Sequence, residues 1–297
     1  MGGRLFIFGL GFAGLAIARQ ARGAGWSVAG TATTAEKVRQ LAAEGWAAEL
    51  FAQPNVPTSE AFERATHLVC TIPPDEQGDS ALRQYAGRFA QLKPQPKWLG
   101  YLSTTGVYGD TGGQWVDESA VPRPGAARSR YRLAAEQAWQ ALAAQYAIPL
   151  HIFRLPAIYG PGRSAIDQVR EGRARSVDKP GQVFSRIHVE DLARTVLASM
   201  ERPAPLPGAI YNVADDAPAP QPEVIGHAAR LLGVPAPPVV PWEQAAPSMS
   251  EMARSFYAEN RRVRNDRIKR ELGVVLKYPT YREGLAACLG GPPAQVS

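Results

Sequence analysis

The chain has 297 residues, of which 45% are hydrophobic and 20% charged, an ordinary globular balance and enough length for one large domain or a core with a smaller lobe. No run approaches the ~18 uninterrupted apolar residues of a membrane helix, and "MGGRLFIFGLGFAG" is broken by glycines and lacks an A-x-A cleavage site, so the expectation is a cytoplasmic protein with no membrane partner. The net charge of +6 is spread along the chain, which argues against nucleic acid; a solvated face is the first reading of the basic residues and a site for an anionic small molecule the next.

Two cysteines in apolar contexts, Cys70 and Cys288, exclude a disulfide framework. The four histidines, His67, His151, His188 and His227, lack metal-ligand spacing, so no metal is expected.

In chain order, "RLFIFGLG" predicts a buried strand and "FAGLAIARQARGAG" a helix closed by Gly25. "WSVAGTAT", "AEKVRQLAAEG" and "WAAELF" follow as strand, helix and strand. "ATHLVCTIPP" is a fourth strand stopped by Pro73 and Pro74, and "ALRQYAGRFAQL" a helix. "KWLGYLSTTGVYG" is a fifth strand with its loop, "RLAAEQAWQALAAQYA" a long helix and "PLHIFRLPAIYGPG" a sixth strand. Alternation with near-continuously apolar strands predicts an α/β fold, a doubly wound parallel sheet covered on both faces.

After Gly162 the pattern weakens. "RIHVEDLARTVLASME" reads as a turn and helix, "GAIYNVADD" as a buried strand, and "PEVIGHAARLLG" and "NDRIKRELG" as short amphipathic helices. The dense "RRVRNDRIKR" also reads as amphipathic helix, "VPAPPVVPWEQAAP" as a loop, and the final "GGPPAQVS" as frayed. The expected organisation is a nucleotide-binding core over 1–162, to which 186–215 returns, with 163–185 and 216–297 forming a smaller α/β lobe.

Gly9-Leu10-Gly11-Phe12-Ala13-Gly14 is a G-x-G-x-x-G between the first strand and first helix, the context in which it binds a dinucleotide. Gly9 permits the tight turn, Gly11 the close approach of a pyrophosphate, and Gly14 close packing of helix on strand. The helix start supplies free N–H groups and positive potential. An acid at the end of the second strand would accept from the ribose 2′-hydroxyl of NAD. Here Thr31, Thr33 and Thr34 stand there, with Lys37 a turn later, and hydroxyls plus a cation suit a 2′-phosphate. NADP is therefore expected over NAD; Glu36 is the residue that favours NAD.

With the loop, "YLSTTGVYGD", "FRLPAIYGPG" and "RIHVEDLA" in this order, the sequence resembles the extended short-chain dehydrogenase/reductase family of NAD-dependent epimerases and dehydratases, from about Arg4 to Leu192. The resemblance implies a Rossmann core, a small C-terminal substrate lobe and cofactor contacts at Thr71, Ile72 and Pro73 and at Leu155, Pro156 and Ala157. It places the family's catalytic hydroxyl at Thr104, with Ser103 and Thr105 beside it toward substrate. The Asp-Glu pair of the family's dehydratases is Thr105-Gly106 here, which argues against elimination of water. The family's Tyr-x-x-x-Lys aligns on "LAAEQ" as Arg128-x-x-x-Arg132, with Tyr131 one step, about a hundred degrees, from Arg132. An arginine at 132 can still bridge ribose hydroxyls, but arginine is a poor proton relay, so Tyr131 is the remaining candidate acid only if the register shifts.

Two functions compete. One is an NAD(P)-dependent oxidoreductase or epimerase on an anionic, nucleotide-sugar-like substrate held by arginines such as Arg128, Arg163 and Arg186. The other is a non-catalytic NADP(H)-binding sensor or partner-docking protein. Relatives dimerise through the helices flanking the fifth strand, and the small apolar residues of "RLAAEQAWQALAAQYA" permit a homodimer.

Overall fold

The computed structural model describes residues 2–51, 59–202 and 208–290. Seven strands are ordered within it: β1 (Arg4–Phe8), β2 (Ser27–Ala32), β3 (Ala47–Leu50), β4 (His67–Cys70), β5 (Trp98–Thr104), β6 (Leu150–Leu155) and β7 (Ala209–Asn212). They form one parallel sheet in the order β3-β2-β1-β4-β5-β6-β7. The sheet is the α/β Rossmann-type architecture that the strand–helix alternation predicts.

Period-two alternation distributes the core. Leu5 and Ile7 of β1 face the layer of α1 (Phe12–Gly23) and α4 (Val189–Met200), meeting Ile17, Leu192 and Val196. Phe6 and Phe8 face the other layer, where α3 (Ala127–Gln145) contributes Trp139 and Leu142. Both faces being covered explains why β4 and β6 are buried along their whole lengths. Between β2 and β3, α2 (Ala35–Ala43) is capped by Thr34, whose hydroxyl accepts from the Lys37 N–H.

The second lobe gathers helices Ala165–Arg170, Gln221–Leu232 and Tyr281–Cys288 around Ile166, Val224, Ala228 and Leu285. Three two-stranded parallel pairs join distant segments: Arg186–His188 with Ala157–Tyr159, Val239–Pro241 with Ser176–Asp178, and Arg262–Val263 with Trp115–Val116.

These pairs correct three sequence expectations. The proline-rich 234–247 stretch holds a strand at Val239–Pro241 and a short helix at Trp242–Ala245 rather than loop alone. A strand with one neighbour tolerates proline, because only one edge must donate. "RRVRNDRIKR" is helical only from Asp266, since Arg262 and Val263 pair with the 115–116 strand. "RIH" is a strand, not a turn. The "GGPPAQVS" end lies outside the described residues from 291 onward.

Candidate active site

The glycine-rich loop is held from below and open above. Gly9 has φ +97°, a region that favours glycine, and its N–H donates to Thr31 Oγ1 at 3.0 Å. Thr71 Oγ1 donates to the Gly9 carbonyl at 2.7 Å, and Ile72 packs against Gly9. A Cβ at Gly14 would fall 2.1 Å from that carbonyl, so the helix meets the strand only because residue 14 has none. A Cβ at Gly11 would meet nothing within 4 Å, which leaves its backbone accessible. No side chain caps α1, and its first turn carries no acid. Its leading N–H groups, Phe12 and Ala13 among them, are thus available to an anion. These residues fit a dinucleotide pyrophosphate.

Of the expected ribose selectors, Thr31 is fully buried and supports the loop. Its β2 position turns the hydroxyl under Gly9, so it does not face a ribose. Thr34 is engaged as the α2 cap, while Thr33 is exposed and Lys37 half-buried.

Beyond the C-terminal ends of β5 and β6 opens a cleft of about 320 Å³ whose walls include Thr104, Thr105, Arg128, Arg163, Glu259 and Arg261. Pro156 and Ala157 form part of its floor; Leu155 instead belongs to the buried core. Thr104 Oγ1 accepts from the Gly106 N–H at 3.1 Å, which fixes the chain's exit from β5. Arg128 Nη1 donates to Ser255 Oγ at 2.6 Å, with its guanidinium 4.3 Å from the Phe256 ring centroid. Arg163 lies 5.4 Å over the Phe12 ring, linking the cleft to the start of α1. Arg261 donates to the Gly109 carbonyl and to Glu259 Oε2, each at 2.7 Å. Glu259 Oε1 is buried with no hydrogen-bond partner among the described residues.

The helix register decides the rest. Arg132 Nη1 turns to the sheet, donating to the Leu102 carbonyl at 2.7 Å and more weakly to Tyr101 Oη at 3.3 Å. Tyr131 is half-buried and outside the cleft walls. α3 thus delivers Arg128, not Tyr131, to the cavity. Ser103 points away from substrate: in a β-strand it faces opposite to Thr104, and its Oγ donates to Glu136 Oε1 at 2.5 Å. Glu136 is paired with Arg154 at 2.7 Å, both side chains at 3% exposure or less.

Arg186 is partly buried and lies outside the cleft, donating to the Phe184 and Ala219 carbonyls at 2.7 and 3.0 Å. His188 caps α4, with Nδ1 accepting from the Glu190 N–H at 3.2 Å, and burial lowers its pKa to about 4. Asp191 accepts from the Lys277 and Tyr278 N–H groups, each at 2.8 Å, and so ties the late chain to the core. Sequence reasoning missed Phe256, Glu259 and Arg261. Their only signal was local charge, in a stretch with no motif.

The sequence model of the NAD dependent epimerase/dehydratase family matches residues 87–214, which include Thr104, α3 and the cleft floor. A solved structure titled as a functionally unknown conserved protein from Silicibacter pomeroyi DSS is 48% identical over 96% of this chain and 98% of its own, with a TM-score of 0.85. Human epimerase family protein SDR39U1 (isoform 2), solved with NADPH, shares the fold at 15% identity and a TM-score of 0.70, over 95% of this chain and 98% of its own. The 3-diazoavenalumate denitrifying reductase of a Streptomyces species is 31% identical over 140 residues, and the match spans 45% of each chain. With the open glycine loop on a seven-stranded parallel sheet, residues 87–214 match the NAD dependent epimerase/dehydratase family, and the rest of the chain shares the fold of the solved structures above.

Proposed function

We propose that the protein is an NAD(P)-binding oxidoreductase that acts on an anionic small molecule, nucleotide-sugar-like in its charge, with NADP preferred over NAD. The observation that carries this reading is the cleft, where Arg128, Arg163 and Arg261 face a single carboxylate, Glu259, beside the Thr104 hydroxyl. The dinucleotide, when bound, supplies hydride exchange at its nicotinamide.

The chain's own residues do the rest. The open N–H groups of the glycine loop bind pyrophosphate. Pro156 and Ala157 form a floor for the ring, and Thr104 donates its hydroxyl to a substrate oxygen to polarise it. Arg128 and Arg163 hold the anionic group with charge-assisted hydrogen bonds. Exposed Thr33 and half-buried Lys37 are the groups left to receive a 2′-phosphate. Because Arg128 stays charged, it holds substrate but cannot serve as general acid at neutral pH. Reduction then places the cofactor's hydride on the substrate carbon, while the proton for its oxygen comes from solvent through the Thr104 hydroxyl; a sequence relative is named as a reductase.

The test is to bind NADPH and NADH by fluorescence, then follow NADPH oxidation with a panel of carboxylated and phosphorylated aldehydes and ketones. Turnover that falls at least tenfold in Thr104→Val supports the reading. Tight NADPH binding with no turnover on any member would favour the sensor, which the Arg128–Ser255 contact across the cleft also suits.

A further inference from the structure

A second chamber, of about 230 Å³, shares Ala157, Ile158 and Arg163 with the cleft wall. Its charged lining is Arg163 and Arg186, with no acid, joined by polar Ser164, Gln168 and Gln221. Arg186 has no ion pair among the described residues. Its Nη1 donates to two carbonyls, Phe184 and Ala219, that already accept each other's N–H groups. Burial lowers its pKa from the ordinary arginine value, so the guanidinium is poorly solvated as well as unpaired. The neighbouring carboxyl is Asp215, which lies outside the chamber lining and makes no ion pair with Arg186 among the described residues; burial raises its pKa to about 8. Tyr159, which also lines the chamber, has a buried hydroxyl with no partner among the described residues.

A desolvated guanidinium without a counter-charge is costly, and a bound anion is what offsets it. We infer that this chamber is a second anion site, in which Arg186 and Arg163 receive a compact phosphate or carboxylate. A planar fork of donors suits either group. The inference deepens the proposed function by giving an anionic substrate a second point of attachment, remote from Thr104. Arg163, facing both cavities, would then sense whether both are filled.

Inorganic phosphate and glycerol 3-phosphate are titrated calorimetrically into the full chain, without cofactor and again with NADPH. The variants are Gln168→Glu, which puts an acid into the chamber, Arg186→Met, and Lys97→Gln as an exposed cationic control that lines neither cavity. Phosphate affinity is expected to fall about tenfold or more in the first two and to stay within about threefold in Lys97→Gln. Binding of both probes assigns the site to a substrate's anionic end, and binding of inorganic phosphate alone assigns it to a free ion. Should Arg186→Met fail to fold, Gln168→Glu decides. Phosphate binding that is absent, or untouched by Gln168→Glu, overturns the inference. None of these readouts needs turnover, so a failed oxidoreductase assay leaves the result separately readable.

Discussion

Arg128 on α3 and Ser255 in the late chain, 127 positions apart, are joined by a 2.6 Å hydrogen bond across the mouth of the cleft. The residue that the sequence resemblance aligns with a catalytic tyrosine thus bridges core and lobe. Arg128→Ala should weaken any anionic substrate by roughly 10- to 100-fold, the loss of a charge-assisted hydrogen bond of about 1.5–3 kcal/mol. NADPH affinity should stay within about threefold. Tyr131→Phe should leave both quantities unchanged. Steady-state kinetics on the three proteins checks this, and a turnover defect in Tyr131→Phe would return the tyrosine to the active site.

Two glycines of the loop, Gly11 and Gly14, separate binding from folding. Gly14→Ala forces a Cβ to within 2.1 Å of the Gly9 carbonyl, so a stability loss of about 1–3 kcal/mol is expected. Gly11→Ala has open space around it in the protein and should melt like the wild type. Its methyl nonetheless stands where the pyrophosphate approaches, so NADPH binding should fall at least about tenfold. Thermal melts and fluorescence titrations on the pair distinguish the two effects.

The buried Glu136–Arg154 pair should show a sign asymmetry. Removing one partner, as in Glu136→Gln or Arg154→Met, leaves an uncompensated charge or donor and should cost about 3–5 kcal/mol. Changing both to apolar residues should cost less than either single change. Urea unfolding of the three variants measures the coupling. Additive losses would mean that the pair is not a unit.

Asp215 predicts a particular pH dependence. Its folded pKa, raised by burial to about 8, lies above its unfolded value of 3.8. Folding therefore favours the protonated form. Its contribution is fully present below pH 3.8 and is lost as pH rises toward about 8, then levels off. The buried histidines act oppositely: His67, His151 and His188 are lowered to about 4, so theirs is present above pH 6.5 and lost as pH falls toward 4. The difference in unfolding free energy between wild type and Asp215→Asn isolates the carboxyl. It should change in favour of Asp215→Asn between pH 5 and 8. A flat difference across that window contradicts a buried neutral Asp215.

The legible part of this protein was the part written locally. Strand–helix alternation and the Gly9–Gly14 spacing depend on neighbours a few residues apart, and they led to the sheet and the loop. Strand alternation also separates Thr104 from Ser103, which the resemblance had placed beside it toward substrate. The cleft's far wall was not legible, because Phe256, Glu259 and Arg261 reach the cleft of Arg128 through tertiary contacts such as the pairing of Arg262–Val263 with Trp115–Val116. That pairing overrode the helical reading of "RRVRNDRIKR". The Val239–Pro241 strand was missed for a similar reason: its partner, Ser176–Asp178, lies some sixty positions earlier and gives no periodic signal of its own.

β7 pairs with β6 only after the chain has left the sheet at Leu155, built part of the lobe and come back at Ala209. The two lobes are therefore not exchangeable cassettes. A fragment ending near residue 162 would keep the glycine loop yet expose the backbone of β6 as a bare edge, ready to pair with another copy. Grafting a foreign substrate lobe onto this core would have to leave β7 paired with β6 to keep that edge closed.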